Sequence, residues 1–156
     1  MDSSYQYDHR EIFKLSDGGT IHIDYKGFNP TKDSQRTRSL IIMVLGMTGD
    51  SYGKLYIKFV DQIFKGNGVE GGFDVAVVNY RGMAGSKLTT PLLHGFNSTG
   101  DIAEPLRYIY DNHCKGTKHK TFVLGFSMGA IILTNALAKI DRENGGKPTF
   151  DGALIA

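Results

Sequence analysis

The stretch FVLGFSMGAIIL, residues 122–133, decides the fold class of this chain. One apolar run ends at Gly125, a lone serine lies between Gly125 and Gly129, and a second apolar run follows. A strand that turns sharply into a helix has this pattern. Two interpretations of Ser127 are open: a nucleophile exposed on a strained turn, or a serine that only caps a buried helix, because serine is a preferred N-cap residue.

The segments around this stretch alternate between strand and helix patterns, which predicts an α/β fold with a mostly parallel sheet and flanking helices. Residues 10–26 (REIFKL, a turn, then TIHIDYK) are expected to form an N-terminal antiparallel hairpin. Short apolar runs predict parallel strands that are buried on both faces. These runs cover residues 40–45, 73–79, 120–124 and 150–156.

Helices are predicted between these strands, over 54–65, about 98–114 and 128–140. The start of the middle helix is open. If Asp101 is the N-cap, Pro105 lies near the first turn; if the helix starts at Ser98, that proline lies in the interior and predicts a kink. Because the chain stops inside an apolar run, we expect 1–156 to be a single, truncated domain.

Composition excludes several classes of function. The net charge of +2 is too small to indicate nucleic acid or an anionic membrane surface as a partner, and Arg36 in the polar linker 29–38 is expected to be solvated. Cys114 is the only cysteine, which excludes an internal disulfide and fits a reducing compartment such as the cytoplasm. The start MDSSYQYDHR is not typical of a signal peptide, and no run approaches the roughly 18 apolar residues of a membrane span.

A longer set of motifs carries a resemblance to a known family. The chain has NYRG at 79–82, LTTP at 88–91, TGD at 99–101 and GFSMG at 125–129, in that order. In this respect it resembles the α/β-hydrolase family that includes the EMB8 and YheT proteins and the ABHD1, ABHD2 and ABHD3 lipases. The resemblance covers most of residues 10–156 and implies the N-terminal part of an α/β-hydrolase fold.

The resemblance implies a serine hydrolase of carboxylic esters, with acylglycerols, phospholipids or shorter acyl esters as substrates and with no cofactor or metal. Ser127 would be the nucleophile, and Gly125 and Gly129 the glycines of the nucleophile elbow. The backbone N–H groups of Met128 and Met47 would form the oxyanion hole. The chain departs from the family pattern in having Leu45 where the oxyanion loop usually begins with histidine or proline, and Ala130 where a second glycine is common.

The chain lacks a complete catalytic triad. In this fold the triad follows the order serine, acid, histidine, but all five histidines precede Ser127. By position His94 is the best substitute, yet we expect it to be a surface loop residue. Asp141 and Asp151 follow the serine but are expected at a helix end and a strand start, away from the elbow.

Three explanations for the missing residues remain open. The chain is a fragment of an active enzyme, or a catalytically inactive homologue that serves as a structural or partner-binding subunit, or one half of a site that a second chain completes. The last strand would leave an open sheet edge, which a protein partner could cover. Binding of a small molecule without catalysis is a further hypothesis, because loops 46–52 and 81–96 are expected to rim a pocket. Candidate lining residues are Met47, Tyr52, Tyr80, Met83 and Met128.

Overall fold

The computed structural model describes residues 5–32, 36–66 and 68–156, and contains one six-stranded sheet with the strand order β1-β2-β4-β3-β5-β6. The strands are β1 (His9–Lys14), β2 (Thr20–Lys26), β3 (Leu40–Val44), β4 (Asp74–Val78), β5 (Thr121–Gly125) and β6 (Gly152–Ile155). β1 and β2 form an antiparallel hairpin, and β2 runs antiparallel to β4. The pairs β3–β4, β3–β5 and β5–β6 are parallel. The predicted fold class, mostly parallel with an N-terminal antiparallel hairpin, is confirmed.

Three α-helices flank the sheet: α1 (Lys54–Lys65), α2 (Thr99–Ile109) and α3 (Met128–Glu143). A short π-helical segment, Tyr110–Cys114, extends α2. The apolar residues form two separate cores, one on each face of the sheet. α2 and α3 pack on one face, over Ile42, Val44 and Val78, and α1 packs on the other, over Met43 and Val77. Central strands must be apolar on both sides in such a three-layer arrangement, which explains why all five residues of β4 are buried.

The strand order brings the loop after β3 and the loop after β5 to the same end of the sheet. β3 lies between β4 and β5, and Val44 of β3 is in register with Gly125 of β5. The chain leaves β3 toward α1 on one face and leaves β5 toward α3 on the other. A crevice therefore opens at the carboxyl ends of these two strands, and ligands of open α/β sheets bind in such a crevice.

The structure decides between the two starts that the sequence leaves open for the middle helix. α2 begins at Thr99 with Ser98 as its N-cap, and Pro105 lies inside the helix. Asp101 cannot act as the cap because its carboxylate accepts two hydrogen bonds from the Arg81 guanidinium, at 2.5 and 2.7 Å. The helix therefore starts earlier than the proline rule alone would favour.

The prediction that Arg36 is solvated is wrong. Its side chain is 5% exposed and donates hydrogen bonds to the His113 carbonyl and to the Thr117 and Thr121 hydroxyls. Residues 33–35 of the predicted linker lie outside the described residues. A guanidinium whose donors reach several oxygens can be buried, although its sequence neighbours are polar.

Candidate active site

Ser127 lies on the turn between β5 and α3 and has a strained backbone. Its φ and ψ angles are 51° and −120°, and Ala84 is the other non-glycine residue with positive φ among the residues described. Such a conformation costs about 1–3 kcal/mol and persists only where the surrounding structure compels it. The side chain is exposed and makes no capping hydrogen bond to α3. Ser127 is thus the N-cap residue of α3 by position, but its hydroxyl does not perform the capping that would explain a serine here.

The two flanking glycines allow β5 and α3 to approach each other closely. A Cβ atom at position 125 would lie 2.8 Å from the Ala130 Cα atom. At position 129 it would collide with the Leu45 carbonyl oxygen and lie 2.6 Å from the Val44 carbonyl oxygen. Both positions exclude a side chain for reasons of space, and this packing holds the serine on its turn.

The start of α3 directs one unpaired amide into the crevice region. The N–H groups of Ser127, Gly129 and Ala130 donate to carbonyl oxygens at 2.7, 2.8 and 2.9 Å. Within the described part of the chain, the N–H of Met128 has no such acceptor. As the first residue of the helix it lacks an intrahelical partner, and it lies at the positive end of the helix dipole.

The loop after β3 passes directly beside the elbow. A Cβ atom built on Gly46 would lie 3.6 Å from the Ser127 Cβ atom. Two tyrosine side chains form hydrogen bonds with the backbone of this loop. The Tyr80 hydroxyl donates to the Leu45 carbonyl at 2.7 Å, and the Gly46 N–H donates to the Tyr56 hydroxyl at 3.1 Å.

The next two peptides of this loop are held in the same way. The Gly46 carbonyl accepts from the Gly49 N–H at 3.0 Å, and a ring nitrogen of His94 lies 3.1 Å from the Met47 carbonyl. The Met47 N–H makes no hydrogen bond to any described residue. The structure thus leaves unpaired the two amides that the sequence analysis named, those of Met128 and Met47.

A buried polar network supports this loop from below. Asp24 of β2 is fully buried and accepts from the Arg10 guanidinium at 2.6 and 2.8 Å, from the Ser51 hydroxyl at 2.5 Å and from the Asn79 amide at 2.9 Å. The Asn79 side-chain oxygen in turn accepts from the Ser51 N–H at 2.9 Å. Because a buried carboxylate is stable only when its oxygens are satisfied, the hairpin, β4 and the loop are fixed to one another.

A second charged cluster fixes the loop that follows β4. The Arg81 side chain is 5% exposed and donates to Asp101, to Asp17 at 2.7 Å and to the Thr90 hydroxyl at 2.9 Å. The hydrogen bonds with Asp101 raise the pKa of Arg81 above its already high value, and those from Arg81 lower the pKa of Asp17. The cluster joins the 80–98 loop to α2 and to the hairpin turn.

The other candidate residues lie elsewhere. Asp151 pairs with Lys120 and accepts from the Thr121 N–H, at the amino end of β5, and Asp141 accepts from the Thr149 N–H. Tyr80 and Met128 are buried in the core. Tyr52 lines a cleft of about 530 Å³ on the hairpin side, together with Tyr7 and Arg10.

Comparisons with known proteins identify the family of the chain. Residues 39–144 match the family model described as the alpha/beta hydrolase fold, and the chain belongs to that family. It is 32% identical to the human phospholipase ABHD3 over 133 residues, and 32% identical to the monoacylglycerol lipase of Saccharomyces cerevisiae over 116 residues. These alignments cover 83% and 74% of this chain, but 30% and 24% of the two relatives. The chain thus spans less than a third of the length of these curated relatives.

Solved structures show the same fold. Brefeldin A esterase, a bacterial homologue of human hormone-sensitive lipase, superposes with a TM-score of 0.64 at 16% identity, covering 98% of this chain and 40% of that chain. An esterase of Pyrococcus furiosus superposes with a TM-score of 0.61 at 18% identity, over 88% of this chain and 48% of that chain. Across residues 5–32, 36–66 and 68–156, none of the helices has the length and apolar character needed to cross a bilayer.

Proposed function

We propose that the protein is a serine hydrolase of carboxylic esters, of the lipase or esterase type, with Ser127 as the nucleophile. The observation that carries this proposal is the exposed Ser127 side chain, which makes no capping hydrogen bond and lies on a strained backbone at a turn with two unpaired amides nearby. Strained residues persist where the surrounding structure compels them, and they cluster at active sites. A serine that served only to start a helix would need none of this strain.

In the proposed reaction the Ser127 oxygen attacks the carbonyl carbon of the ester. A base takes the hydroxyl proton as the new C–O bond forms, and the electron pair of the carbonyl moves onto its oxygen. The Met128 and Met47 N–H groups are proposed to stabilise this oxyanion, and the positive end of the α3 dipole adds to their effect. Collapse of the intermediate expels the alcohol, which receives the proton from the base. Water then releases the acid from Ser127 by the same steps.

The base and the acid that orients it are proposed to come from outside residues 1–156, because no histidine follows Ser127 within this range. The lipid substrates in the names of the relatives, a phospholipase and a monoacylglycerol lipase, support an acylglycerol or phospholipid-type ester.

A fluorophosphonate probe tests the proposal. The activated serine displaces fluoride from phosphorus and becomes covalently labelled, and the adduct is located by mass spectrometry. We expect labelling of Ser127 in the full-length protein, and loss of labelling in Ser127→Ala. The matched control is Ser16→Ala, because Ser16 lies exposed on the hairpin turn and its hydroxyl contacts only Glu104. Absence of labelling in a folded full-length protein, or labelling that survives in Ser127→Ala, contradicts the proposal.

A non-catalytic, partner-binding role is the second candidate, and one observation favours it. The sheet face beside the edge strand β6 carries an apolar cleft of about 350 Å³, lined by residues that include Phe73, Phe122 and Leu154. Leu154 is 63% exposed. A stable complex that buries β6, in a protein whose Ser127 is never labelled, would favour this candidate over the hydrolase.

A further inference from the structure

His94 lies in the loop after β4, and both of its ring nitrogens face backbone carbonyl oxygens. Nε2 lies 3.1 Å from the Met47 oxygen and Nδ1 lies 3.3 Å from the Arg81 oxygen. The imidazole therefore bridges the loop after β3 and the loop after β4. His94 is a half-buried loop residue, as a surface loop position allows, but with specific contacts to two other segments.

The surroundings of His94 hold its ring in place. The ring stacks on Tyr80 with a centroid distance of 4.9 Å and an interplanar angle of 12°. Tyr80 is itself fully buried and donates to the Leu45 carbonyl. The next residue, Gly95, exchanges hydrogen bonds with Ser98 at the start of α2, at 2.8 and 2.9 Å. Stacking on one side and a closed turn on the other leave the ring little freedom.

The two partners of His94 set a condition on its protonation. Carbonyl oxygens only accept hydrogen bonds, and a neutral imidazole has one N–H. A neutral ring can therefore donate to the Met47 carbonyl or to the Arg81 carbonyl, but not to both. Its other nitrogen then has a lone pair facing the lone pairs of the second carbonyl oxygen. The imidazolium donates to both.

The charged groups near the His94 ring are bonded to other residues and do not contact the ring in place of the two carbonyl oxygens. On the loop after β4, the Arg81 guanidinium is directed to Asp101 and Asp17. On the loop after β3, the Asp50 carboxylate accepts from the Tyr52 N–H. No carboxylate of the described residues lies within ion-pair distance of the His94 ring. The two carbonyl oxygens are the acceptors that the ring contacts.

We propose that His94 is a positioning residue that, as the imidazolium, clamps the Met47–Thr48 peptide by its carbonyl oxygen and so limits rotation of the adjoining Gly46–Met47 peptide, which carries the Met47 N–H. The proposal rests on the proposed function, because it assigns Met47 to the oxyanion hole. Tyr80 holds the residue before Gly46 and His94 the residue after it. Loss of the His94 bond releases one end of this segment while the other end stays fixed.

Two measurements test the clamp, and the first does not depend on catalysis. In NMR spectra of the protein, the Met47 amide signal is expected to titrate with the same midpoint as the His94 ring signals. This titration is expected to disappear in His94→Gln, whose amide carries no ionisable group, and to persist in His119→Gln, a change at the opposite end of the sheet. If the Met47 signal does not follow the His94 ring, the clamp is refuted.

The second measurement is the rate of fluorophosphonate labelling of Ser127 against pH. Below the His94 midpoint, His94→Gln is expected to label about tenfold more slowly than the wild type, the size expected for one charge-assisted hydrogen bond. Above the midpoint the difference is expected to shrink to about threefold or less, the size of a neutral bond. His94→Phe keeps the stacking on Tyr80 without the hydrogen bonds, and is expected to behave in the same way.

The outcomes separate the two proposals. A rate ratio that is the same at every pH would mean that His94 only supports the fold, and would overturn the positioning role. An absence of labelling in wild type at every pH, together with an intact Met47 titration, would refute the proposed hydrolase function and support the clamp itself.

Discussion

Substitution of Gly129 by alanine would place a methyl group against the backbone of β3. The new Cβ atom would collide with the Leu45 carbonyl oxygen and lie 2.6 Å from that of Val44. Both acceptors belong to the centre of the sheet, so the elbow rather than the strand has to move. Overpacking of this kind costs up to about 3 kcal/mol, and the higher helix propensity of alanine returns about 1 kcal/mol. We therefore expect the free energy of unfolding to fall by about 2 kcal/mol.

The same displacement would change the geometry of the crevice. The Leu45 carbonyl precedes the Gly46–Met47 peptide, so a shift between α3 and β3 separates Ser127 from the Met47 N–H. Misplacement by about 1 Å can lower a rate by about 100-fold. Gly129→Ala is thus expected to lose most of its labelling rate even under conditions in which the variant remains fully folded.

Urea denaturation followed by circular dichroism measures the stability change, and fluorophosphonate labelling measures the rate. Gly100→Ala is the matched control, because a Cβ atom there would meet only the Glu104 Oε1 atom, at 3.9 Å, inside helix α2. That variant is expected to gain up to about 1 kcal/mol and to label normally. If Gly129→Ala were as stable as the wild type and were labelled at the same rate, the close approach of α3 and β3 would not be what holds the serine in place.

Two further substitutions test the charged and buried groups. Asp101→Asn removes the more buried of the two carboxylates that pair with the Arg81 guanidinium, which is 5% exposed, and is expected to cost about 3 kcal/mol in urea denaturation. Asp17→Asn, at the exposed end of the same cluster, should cost less, and equal effects would contradict the account. Burial lowers the pKa of His113, so the unfolded chain binds its proton at higher pH than the folded protein. The resulting stability is fully present above about pH 6.5 and is lost as pH falls toward the folded-state pKa. His113→Phe should therefore reduce the loss of stability between about pH 7 and 5, whereas His119→Phe should leave it as in the wild type.

Local patterns in the sequence predict most of the fold, because its strands and helices are set by the spacing of apolar residues. β4 is a run of buried residues and is recognisable as such. The elbow is equally local, since Gly125, Ser127 and Gly129 lie within five consecutive residues. The sequence also contains a pattern that places Tyr56, because Tyr56, Phe59, Val60 and Ile63 follow helical spacing and pack together against the sheet. This position brings the Tyr56 hydroxyl to the Gly46 N–H.

The features of the structure that the sequence does not predict depend on contacts between residues far apart in the chain. The Asp24 network joins positions 10, 24, 51 and 79, and each of these residues read alone is an ordinary surface residue. The solvated position expected for Arg36 is wrong for the same reason, because its partners His113, Thr117 and Thr121 lie 77 to 85 positions away. From the sequence, His94 is a possible replacement base that is expected on the surface of its loop. Its contact with the Met47 carbonyl depends on how two loops meet, and no local pattern encodes that.

The position of Ser127 links the cost of strain to the topology of the sheet. Neighbouring parallel strands β3 and β5 send their loops to the same end, so an amide from one loop and the serine from the other must meet there. Close contact requires glycine at 125 and 129, and that contact in turn compels the unusual backbone of Ser127. A scaffold could relieve this strain by placing the serine in a relaxed conformation, with a gain of stability. That the strain, the unpaired amides and the exposed side chain occur together is the reason to expect chemistry at this turn.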